Sequence, residues 1–285
     1  MRKQGLVMAI PGFIFAAILI YLLSLNIYFS LLNWSLFNLH PTFTGISTYY
    51  SLFSEYFFKL SVIHTIVYTV SAVALCNILG ILGAGILYFI KSNTRRAIYL
   101  SIFLYPLAVP SSTYAITWQW LFNPQTGINL VLRIFHFPDI LWLTTQQTVY
   151  AGMIVIEIWA YTGLAVLFYL ASFISVDKSI VEAAKIDGAN NFYLLFRILL
   201  PNSMNGLIVS TALLFLFSFR IFTVPFTIGG PSNPTMMSLV EYIYILFSTE
   251  YFSLSSALAS IVALIAAVVI IPYALLGLKR WVFRR

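Results

Sequence analysis

The sequence of 285 residues predicts an all-α integral membrane protein with six transmembrane helices, folded as a single transmembrane domain over residues 1–285. Hydrophobic residues make up 61% of the chain and charged residues only 8%, whereas soluble domains are about half apolar and a quarter charged. Apolar runs that reach the roughly 20 residues of a membrane-crossing helix recur six times. Basic residues are concentrated in alternate connections between these runs.

The six apolar runs lie at about 6–29, 62–90, 97–122, 149–173, 204–228 and 255–278. Each is expected to be helical, because lipid offers backbone groups no hydrogen-bond partner. The first run follows Arg2 and Lys3, as in a signal peptide. It is long, however, and no small-x-small cleavage site follows it, which favours a retained helix.

Twelve of the 15 basic residues fall on one side of this six-helix arrangement: Arg2, Lys3, Lys91, Arg95, Arg96, Lys178, Lys185, Arg197, Lys279, Arg280, Arg284 and Arg285. Lys59 and Arg133 lie on the other side, and Arg220 falls within the fifth run. The positive-inside rule therefore places both termini in the cytoplasm. This distribution makes the lipid bilayer, and not nucleic acid, the partner indicated by the net charge of +7.

Residues suited to metal binding or catalysis are sparse. Cys76 is the single cysteine, so it forms no disulfide within the chain and is expected to be a small buried hydrophobe. His64 has no second histidine or carboxylate at ligand spacing, which predicts a hydrogen-bonding group at the interface or between helices. The sequence predicts no metal site and no catalytic residue.

Glu157 and Arg220 are the two charged residues that fall well inside predicted spans. A charge at mid-bilayer costs roughly 3 kcal/mol or more, so such residues face a cavity or a partner. Two interpretations follow from the residues: a buried ion pair, or a pair of groups lining the path of a polar substrate.

A polar segment over 174–203 separates the fourth and fifth runs and is placed in the cytoplasm. Ser179 and Glu182 form an S-x-x-E capping box that predicts a helix start, and Gly188 predicts its end. Asn191 predicts the cap of a second helix, which Pro201 ends. An apolar stripe is expected along the second helix at Phe192, Leu195, Phe196 and Leu199. Such a helix hairpin is either a plain connection, with Glu182 as a cap, or a docking surface.

The motif in this segment resembles the EAA loop of permease subunits of binding-protein-dependent ABC importers. The matching residues are Glu182, Ala183, Ala184, Asp187, Gly188, Ala189, Phe196, Ile198, Leu200 and Pro201. Residues 105–132 are similar to the third span and following loop of sugar-type permeases, and Gly229, Gly230 and Pro231 with Thr235 to their G-G-P-x-x-x-T outer loop. The likeness is to the maltose and glycerol-3-phosphate branch, and to the first subunit of a pair.

This resemblance implies a non-catalytic, multi-pass permease of the prokaryotic plasma (inner) membrane. It would form, with a second permease subunit, the path for a sugar or a related polyol or sugar-phosphate. An extracytoplasmic binding protein would dock on the outer loop at Gly229, Gly230 and Pro231. Two copies of a cytoplasmic ATPase would dock on the EAA residues and hold ATP and Mg, so this chain itself needs no cofactor. In agreement, the sequence has no G-x-x-x-x-G-K-[ST] phosphate loop.

Other functions remain open from the sequence. The aspartate that is frequent in the fifth span of the family is not evident, which leaves a non-sugar solute as an alternative substrate. A secondary transporter or channel would need ion-coupling carboxylates in the membrane, and only Glu157 qualifies. An integral membrane enzyme would need clustered His, Asp or Cys near one interface, and the sequence has no such cluster.

Overall fold

The computed structural model of the protein describes residues 2–231 and 233–282, with side chains for residues 10–231 and 233–275. Helices form most of it. Its elements are α1 Arg2–Ser30, β1 Leu32–Ser35, β2 Asn38–Phe43, α2 Ser47–Ser54, α3 Tyr56–Tyr88, α4 Asn93–Ala108, α5 Ser111–Leu121, α6 Ile128–Ile134, α7 Gln146–Ile174, α8 Lys178–Ile186, α9 Asn191–Tyr193, a π-helical turn Leu194–Leu199, α10 Leu200–Asn202, α11 Met204–Phe219, α12 Thr223–Gly229, α13 Leu239–Ser248 and α14 Phe252–Val282.

Five helical stretches in the described residues are long and apolar enough to cross a membrane: Ile10–Ser30, Tyr56–Tyr88, Gln146–Ile174, Met204–Gly229 and Phe252–Leu275. They correspond to five of the six predicted runs. The prediction of one continuous helix at 97–122 is wrong, because α4 ends at Ala108 and α5 begins at Ser111. Val109 is extended at ψ 129°, as expected for a residue before a proline, and Pro110 has no N–H for the helical ladder.

A two-stranded antiparallel hairpin departs from the predicted all-α fold. Leu32 of β1 pairs with Phe43 of β2. The N–H of Trp34 donates to Ser253 Oγ at 2.8 Å, and the N–H of Leu36 donates to the carbonyl of Glu250 at 3.0 Å. These two bonds attach the hairpin to the beginning of α14.

The centre of the molecule is the packing of α3 against α7, α4 and α11. A Cβ at Gly80 would collide with the Cβ of Ala165 on α7, and one at Gly83 would lie 2.8 Å from Val166 Cγ2. A Cβ at Gly163 of α7 would collide with the carbonyl oxygen of Phe103 on α4. Small residues thus bring these helix backbones close together.

A cluster of hydrogen-bonded polar side chains connects α3, α7 and α11. Asn77 of α3 receives hydrogen bonds on its Oδ1 from Tyr169 of α7 and Ser210 of α11, each at 2.9 Å. Its Nδ2 donates to Thr211 Oγ1 at 3.2 Å and to the carbonyl of Val73 at 2.8 Å. The amide therefore has both ends satisfied, which fixes the three helices relative to one another.

Buried apolar side chains form a core cluster that continues from the bundle into the polar segment at 178–202. It includes Cys76, Leu87, Tyr169, Phe173, Val181, Leu194, Leu195 and Leu199. Cys76 is fully buried, as predicted, and its sulfur lies 3.8 Å from Thr162 Oγ1. The prediction of a buried, small hydrophobe is confirmed.

Beyond α12 the chain returns into the bundle. The connection after the fifth run was expected to be an outer loop, but Leu239–Ser248 forms α13, which packs on α3 and α14 and buries Leu239, Tyr242 and Leu246. Glu241 is fully buried with them. A carboxyl group outside the six predicted runs is therefore buried in the helical bundle, in a segment that was expected to be an outer connection.

Replacing Gly80 by valine tests the close packing of α3 on α7. The added side chain meets Ala165, and overpacking of this kind costs about 1–3 kcal/mol or more. We expect a lower Tm of the detergent-solubilised protein and less protein in the membrane. Gly12→Val on α1 is the matched control, since no atom lies within 4 Å of a Cβ there. Equal Tm values for the two variants would contradict the packing described.

Candidate functional site

A cavity of about 370 Å³ lies where α5, α7 and the break between α11 and α12 meet. It is called the Glu157 cavity here, and its lining residues are Ser111, Tyr114, Glu157, Tyr161, Phe217, Arg220, Ile221, Phe222, Thr223, Val224 and Val240. Both charged residues that the sequence places inside spans are among them. The cavity thus combines one carboxyl group, one guanidinium group, hydroxyls and aromatic rings.

Glu157 belongs to the buried face of α7, with 1% of its surface exposed. Its Oε2 has no hydrogen-bond partner, and neither has the hydroxyl of Ser218 on α11. Buried polar atoms are nearly always paired, so an unpaired carboxyl oxygen at a cavity wall is available to a ligand or to water.

Arg220 lies at the point where α11 ends, and its side chain is exposed. Its Cζ is 5.3 Å from the ring centroid of Phe217, in a cation–π contact. Within the described residues the one ion pair closer than 4.0 Å joins Arg133 and Asp139 at 2.7 Å. Glu157 and Arg220 therefore line the same cavity without forming an ion pair.

Aromatic rings form the rest of this wall. Tyr161 stacks on Phe217 with ring centroids 5.4 Å apart and an interplanar angle of 21°. Tyr114 packs edge-on against Trp159 at 5.7 Å, which holds the α5 side of the cavity against α7. The cavity therefore offers apolar ring faces beside groups that accept and donate hydrogen bonds.

The polar hairpin, residues 178–202, is built from α8 and a second helix that runs from α9 to α10 through the π-helical turn. Asp177, and not Ser179, caps α8, because its carboxylate accepts a hydrogen bond from the N–H of Ser179 at 2.9 Å. That bond also holds the pKa of Asp177 below its usual value. The predicted capping box of Ser179 and Glu182 is thus wrong, and Glu182 is exposed.

The turn of the hairpin has the predicted glycine in the left-handed region, with φ +84° at Gly188. The cap of the second helix is Asn190, whose Oδ1 accepts from the N–H of Tyr193 at 2.8 Å, and the predicted cap at Asn191 is wrong by one residue. Pro201 does not end this helix, which continues to Asn202.

The expected apolar stripe is only partly correct. Leu195 and Leu199 are buried, but Phe192 is 72% exposed and Leu194 is buried in addition. The cause is the π-helical turn Leu194–Leu199, whose wider spacing rotates the residues before it relative to a regular helix.

The predicted docking residues of the hairpin fall into two groups. Ala184, Asp187, Gly188 and Ala189 share the lining of a cavity of about 390 Å³ with Asn190, Tyr193 and Ile198. Glu182, Ala183 and Pro201 are exposed and do not line it. The motif therefore forms a concave surface at the turn, flanked by exposed side chains.

Gly229, Gly230 and Pro231 form the turn that ends α12. Gly230 has φ +71° with open space around it, whereas a Cβ at Gly229 would lie 2.8 Å from Met236 Sδ. The first glycine thus permits close approach of the following chain, and the second permits the turn.

Two further polar residues of this region were not predicted as site residues. Glu241 is fully buried with neither carboxyl oxygen hydrogen-bonded. The sequence does carry a signal for the start of this helix, the pattern Ser238-x-x-Glu241 before an apolar run. In the structure Ser238 Oγ caps α13 by accepting a hydrogen bond from the N–H of Glu241 at 3.1 Å. Gln146 hydrogen-bonds His64, and because the two residues are 82 positions apart, no local sequence pattern predicts this contact.

Comparison with known families identifies the kind of protein that contains the Glu157 cavity and the polar hairpin. Residues 76–282, which include the Glu157 cavity and the polar hairpin, match the family described as the binding-protein-dependent transport system inner membrane component. The chain belongs to this family. It is therefore a multi-pass inner membrane component of an ABC importer that works with a solute-binding protein.

Two relatives of this permease illustrate the range of similarity. It is 44% identical over 285 residues to the glucose import system permease protein GlcT of Saccharolobus solfataricus, covering the whole of both chains. It is 29% identical over 251 residues to the trehalose/maltose transport system permease protein MalF of Thermococcus litoralis, covering 85% of this chain and 81% of the relative.

A solved structure supports the same fold. A bacterial alginate ABC transporter, determined in complex with an alginate pentasaccharide-bound periplasmic protein, contains a chain that matches this permease with a TM-score of 0.76. The match covers 94% of this chain and 91% of that one, at 21% sequence identity. At this identity the likeness concerns the fold alone.

A double-mutant cycle tests the geometry of the Glu157 cavity. Because Glu157 and Arg220 share a cavity but form no ion pair, the coupling energy between Glu157→Gln and Arg220→Gln should stay below about 3 kcal/mol. The measurement is thermal unfolding of the four detergent-solubilised proteins. Breaking a buried pair costs about 3–5 kcal/mol, so a coupling of that size would contradict the unpaired arrangement.

Proposed function

We propose that this permease forms, with a second permease subunit, the membrane path of an ATP-driven importer for a sugar or a related polyol or sugar-phosphate. The observation that carries the substrate class is the end-to-end identity of 44% to a glucose import permease. The chemistry of the Glu157 cavity supports it.

Sugar recognition needs hydrogen-bonding groups beside an apolar surface. The carboxyl group of Glu157 can accept hydrogen bonds from sugar hydroxyls, and the guanidinium group of Arg220 can donate to them. The stacked rings of Tyr161 and Phe217 offer apolar surface to the C–H groups of a pyranose. A volume of about 370 Å³ is at the lower end of small-molecule sites, which favours a small solute over a long oligosaccharide.

The proposed topology has six crossings with both termini in the cytoplasm. The broken pair of α4 and α5 supplies the crossing that no single helix makes. With this orientation the polar hairpin is cytoplasmic, and the turn at Gly229, Gly230 and Pro231 is extracytoplasmic, where the binding protein docks. The support for this arrangement is the placement of 12 of the 15 basic residues.

ATP binding and hydrolysis belong, in this proposal, to two copies of a separate cytoplasmic ATPase that hold the nucleotide and Mg. The polar hairpin is their docking surface, through Glu182, Ala183, Ala184, Asp187, Gly188, Ala189 and Pro201. Val181, Leu194, Leu195 and Leu199 pack into one core cluster with residues of α3 and α7. A displacement of the hairpin would therefore be passed to α7, which carries Glu157 and Tyr161 on the wall of the Glu157 cavity.

Uptake by the reconstituted complex tests the function. The permease is purified from native membranes with its co-purifying subunits, placed in proteoliposomes and supplied with the binding protein and labelled glucose. We expect accumulation that requires ATP on the ATPase side, and competition by unlabelled sugar. Uptake driven by an ion gradient without ATP would contradict the proposal, and uptake of a non-sugar solute in place of glucose would contradict its substrate class.

Charge reversal at Glu182 tests the docking role of the hairpin. Glu182 is exposed, so Glu182→Lys should leave the free energy of unfolding within about 0.5 kcal/mol of wild type, while uptake falls at least tenfold and the ATPase no longer co-purifies. Glu55→Lys is the matched control, an exposed glutamate between α2 and α3 whose reversal should keep the ATPase bound. Wild-type uptake by Glu182→Lys would make the hairpin a plain connection.

A further inference from the structure

Between α12 and α13 the chain packs against α3 and α7 without forming a helix. This re-entrant segment, residues 233–238, is held by side chains of other helices. The carbonyl of Met237 is 3.0 Å from Nδ1 of His64 on α3, and the carbonyl of Thr235 accepts a hydrogen bond from Nε2 of Gln146 on α7 at 2.9 Å. The N–H of Leu239 donates to Thr65 Oγ1, also at 2.9 Å.

His64 and Gln146 also contact each other. Their two Nε2 atoms lie 2.9 Å apart, and His64 is fully buried. A carbonyl oxygen can only accept, so the bond to Met237 requires a hydrogen on Nδ1 of His64. The neutral imidazole then has a lone pair on Nε2, and the amide nitrogen of Gln146 can donate one hydrogen to it and the other to Thr235. Both ring nitrogens of His64 and both hydrogens of the Gln146 amide are satisfied in this state.

A protonated His64 cannot complete the same network. Both ring nitrogens then carry hydrogens, and Nε2–H points at the amide nitrogen of Gln146. Rotating the amide offers its oxygen to Nε2–H, but sets that oxygen against the carbonyl of Thr235. In the first case the bond between His64 and Gln146 is lost, and in the second the bond from Gln146 to the re-entrant segment is lost.

Among the described residues, no exposed charged side chain contacts the ring of His64. The titratable groups around the ring are Tyr68 on its own helix, at 6.1 Å between centroids, and Tyr150 on α7 at 5.5 Å. The re-entrant segment contributes no titratable side chain among its described residues. The one carboxyl group of α13 is that of Glu241, which is buried.

The network reaches the wall of the Glu157 cavity. Ser238 at the end of the re-entrant segment donates its hydroxyl to the carbonyl of Ile221, and Ile221 lines the cavity. Val240 follows on α13 and lines it as well. The position of this segment therefore sets the distance between the α12 and α13 sides of the cavity.

We propose that His64 and Gln146 are positioning residues for transport, which hold the re-entrant segment in place only while the His64 imidazole is neutral. The inference rests on the proposed function, because it assigns the Glu157 cavity to the path of the solute. A low pH on the side of the membrane from which protons reach His64 therefore loosens the cavity wall and slows uptake.

The test compares uptake over pH 7.5 to 4.5 on the binding-protein side, with the opposite side kept at pH 7.5, in proteoliposomes that hold the complete transporter and labelled glucose. Wild-type uptake should fall by about tenfold for each pH unit once His64 is protonated. His64→Gln keeps a side-chain oxygen that can accept from Gln146 but takes up no proton. It should retain uptake within about threefold of wild type at pH 7.5 and lose far less of it in acid.

Three further variants control the result. Gln146→Leu removes both amide bonds and should lower uptake at least tenfold at pH 7.5, where wild-type His64 is neutral. His40→Gln and His136→Gln change exposed histidines and should keep the acid response of wild type. All variants use the same binding protein, so its own pH dependence cancels from the comparison.

A second readout does not depend on transport. The Tm of the solubilised wild-type protein should fall from pH 7.5 to 4.5 by several degrees more than that of His64→Gln, roughly 3 °C or more. If no variant transports but the Tm difference appears, the proposed function fails and the His64 network stands. If His64→Gln shows the acid response of wild type in both uptake and Tm, or Gln146→Leu transports normally, the network has no such role.

Discussion

The close contact of α3 with α7 is the constraint on which the rest of the molecule depends. Their backbones approach because Gly80 has no side chain and Ala165 has only its Cβ at the contact. Lipid tails are as apolar as the helices, so this contact is stabilised by van der Waals packing and by the bonds at Asn77, and not by the hydrophobic effect alone. Glu157, His64 and the hairpin all take their positions from these two helices.

Around that rigid pair, the functional groups lie where helices are interrupted. Arg220 is at the end of α11, and Ser111 follows the break between α4 and α5. An interrupted helix in a membrane must have its free N–H and C=O groups satisfied by neighbours. The side chains of Thr65 and Ser238 do this for buried backbone, so the polar residues that permit irregular chain also surround the cavity.

Hydropathy predicted five spans within a few residues, because the length and composition of an apolar run are local properties. The prediction of a single helix for the third run failed because Pro110 interrupts the helix, whereas the sequence stays apolar on both sides of it. Glu241 was missed because nothing near it in sequence reveals that α13 packs back on α3. Of the cavity, Glu157 and Arg220 could be found as isolated charges, whereas Tyr161 and Phe217 look like any other aromatic residues in a span.

The burial of Cys76 has a practical consequence for experiments on this permease. Its thiol is the only one in the chain, is fully enclosed among apolar side chains and is out of reach of water-soluble thiol reagents. A cysteine introduced on an exposed position would then be the only group that such a reagent modifies. Labelling can therefore report on single sites, such as the rim of the Glu157 cavity, in a protein that keeps its native core.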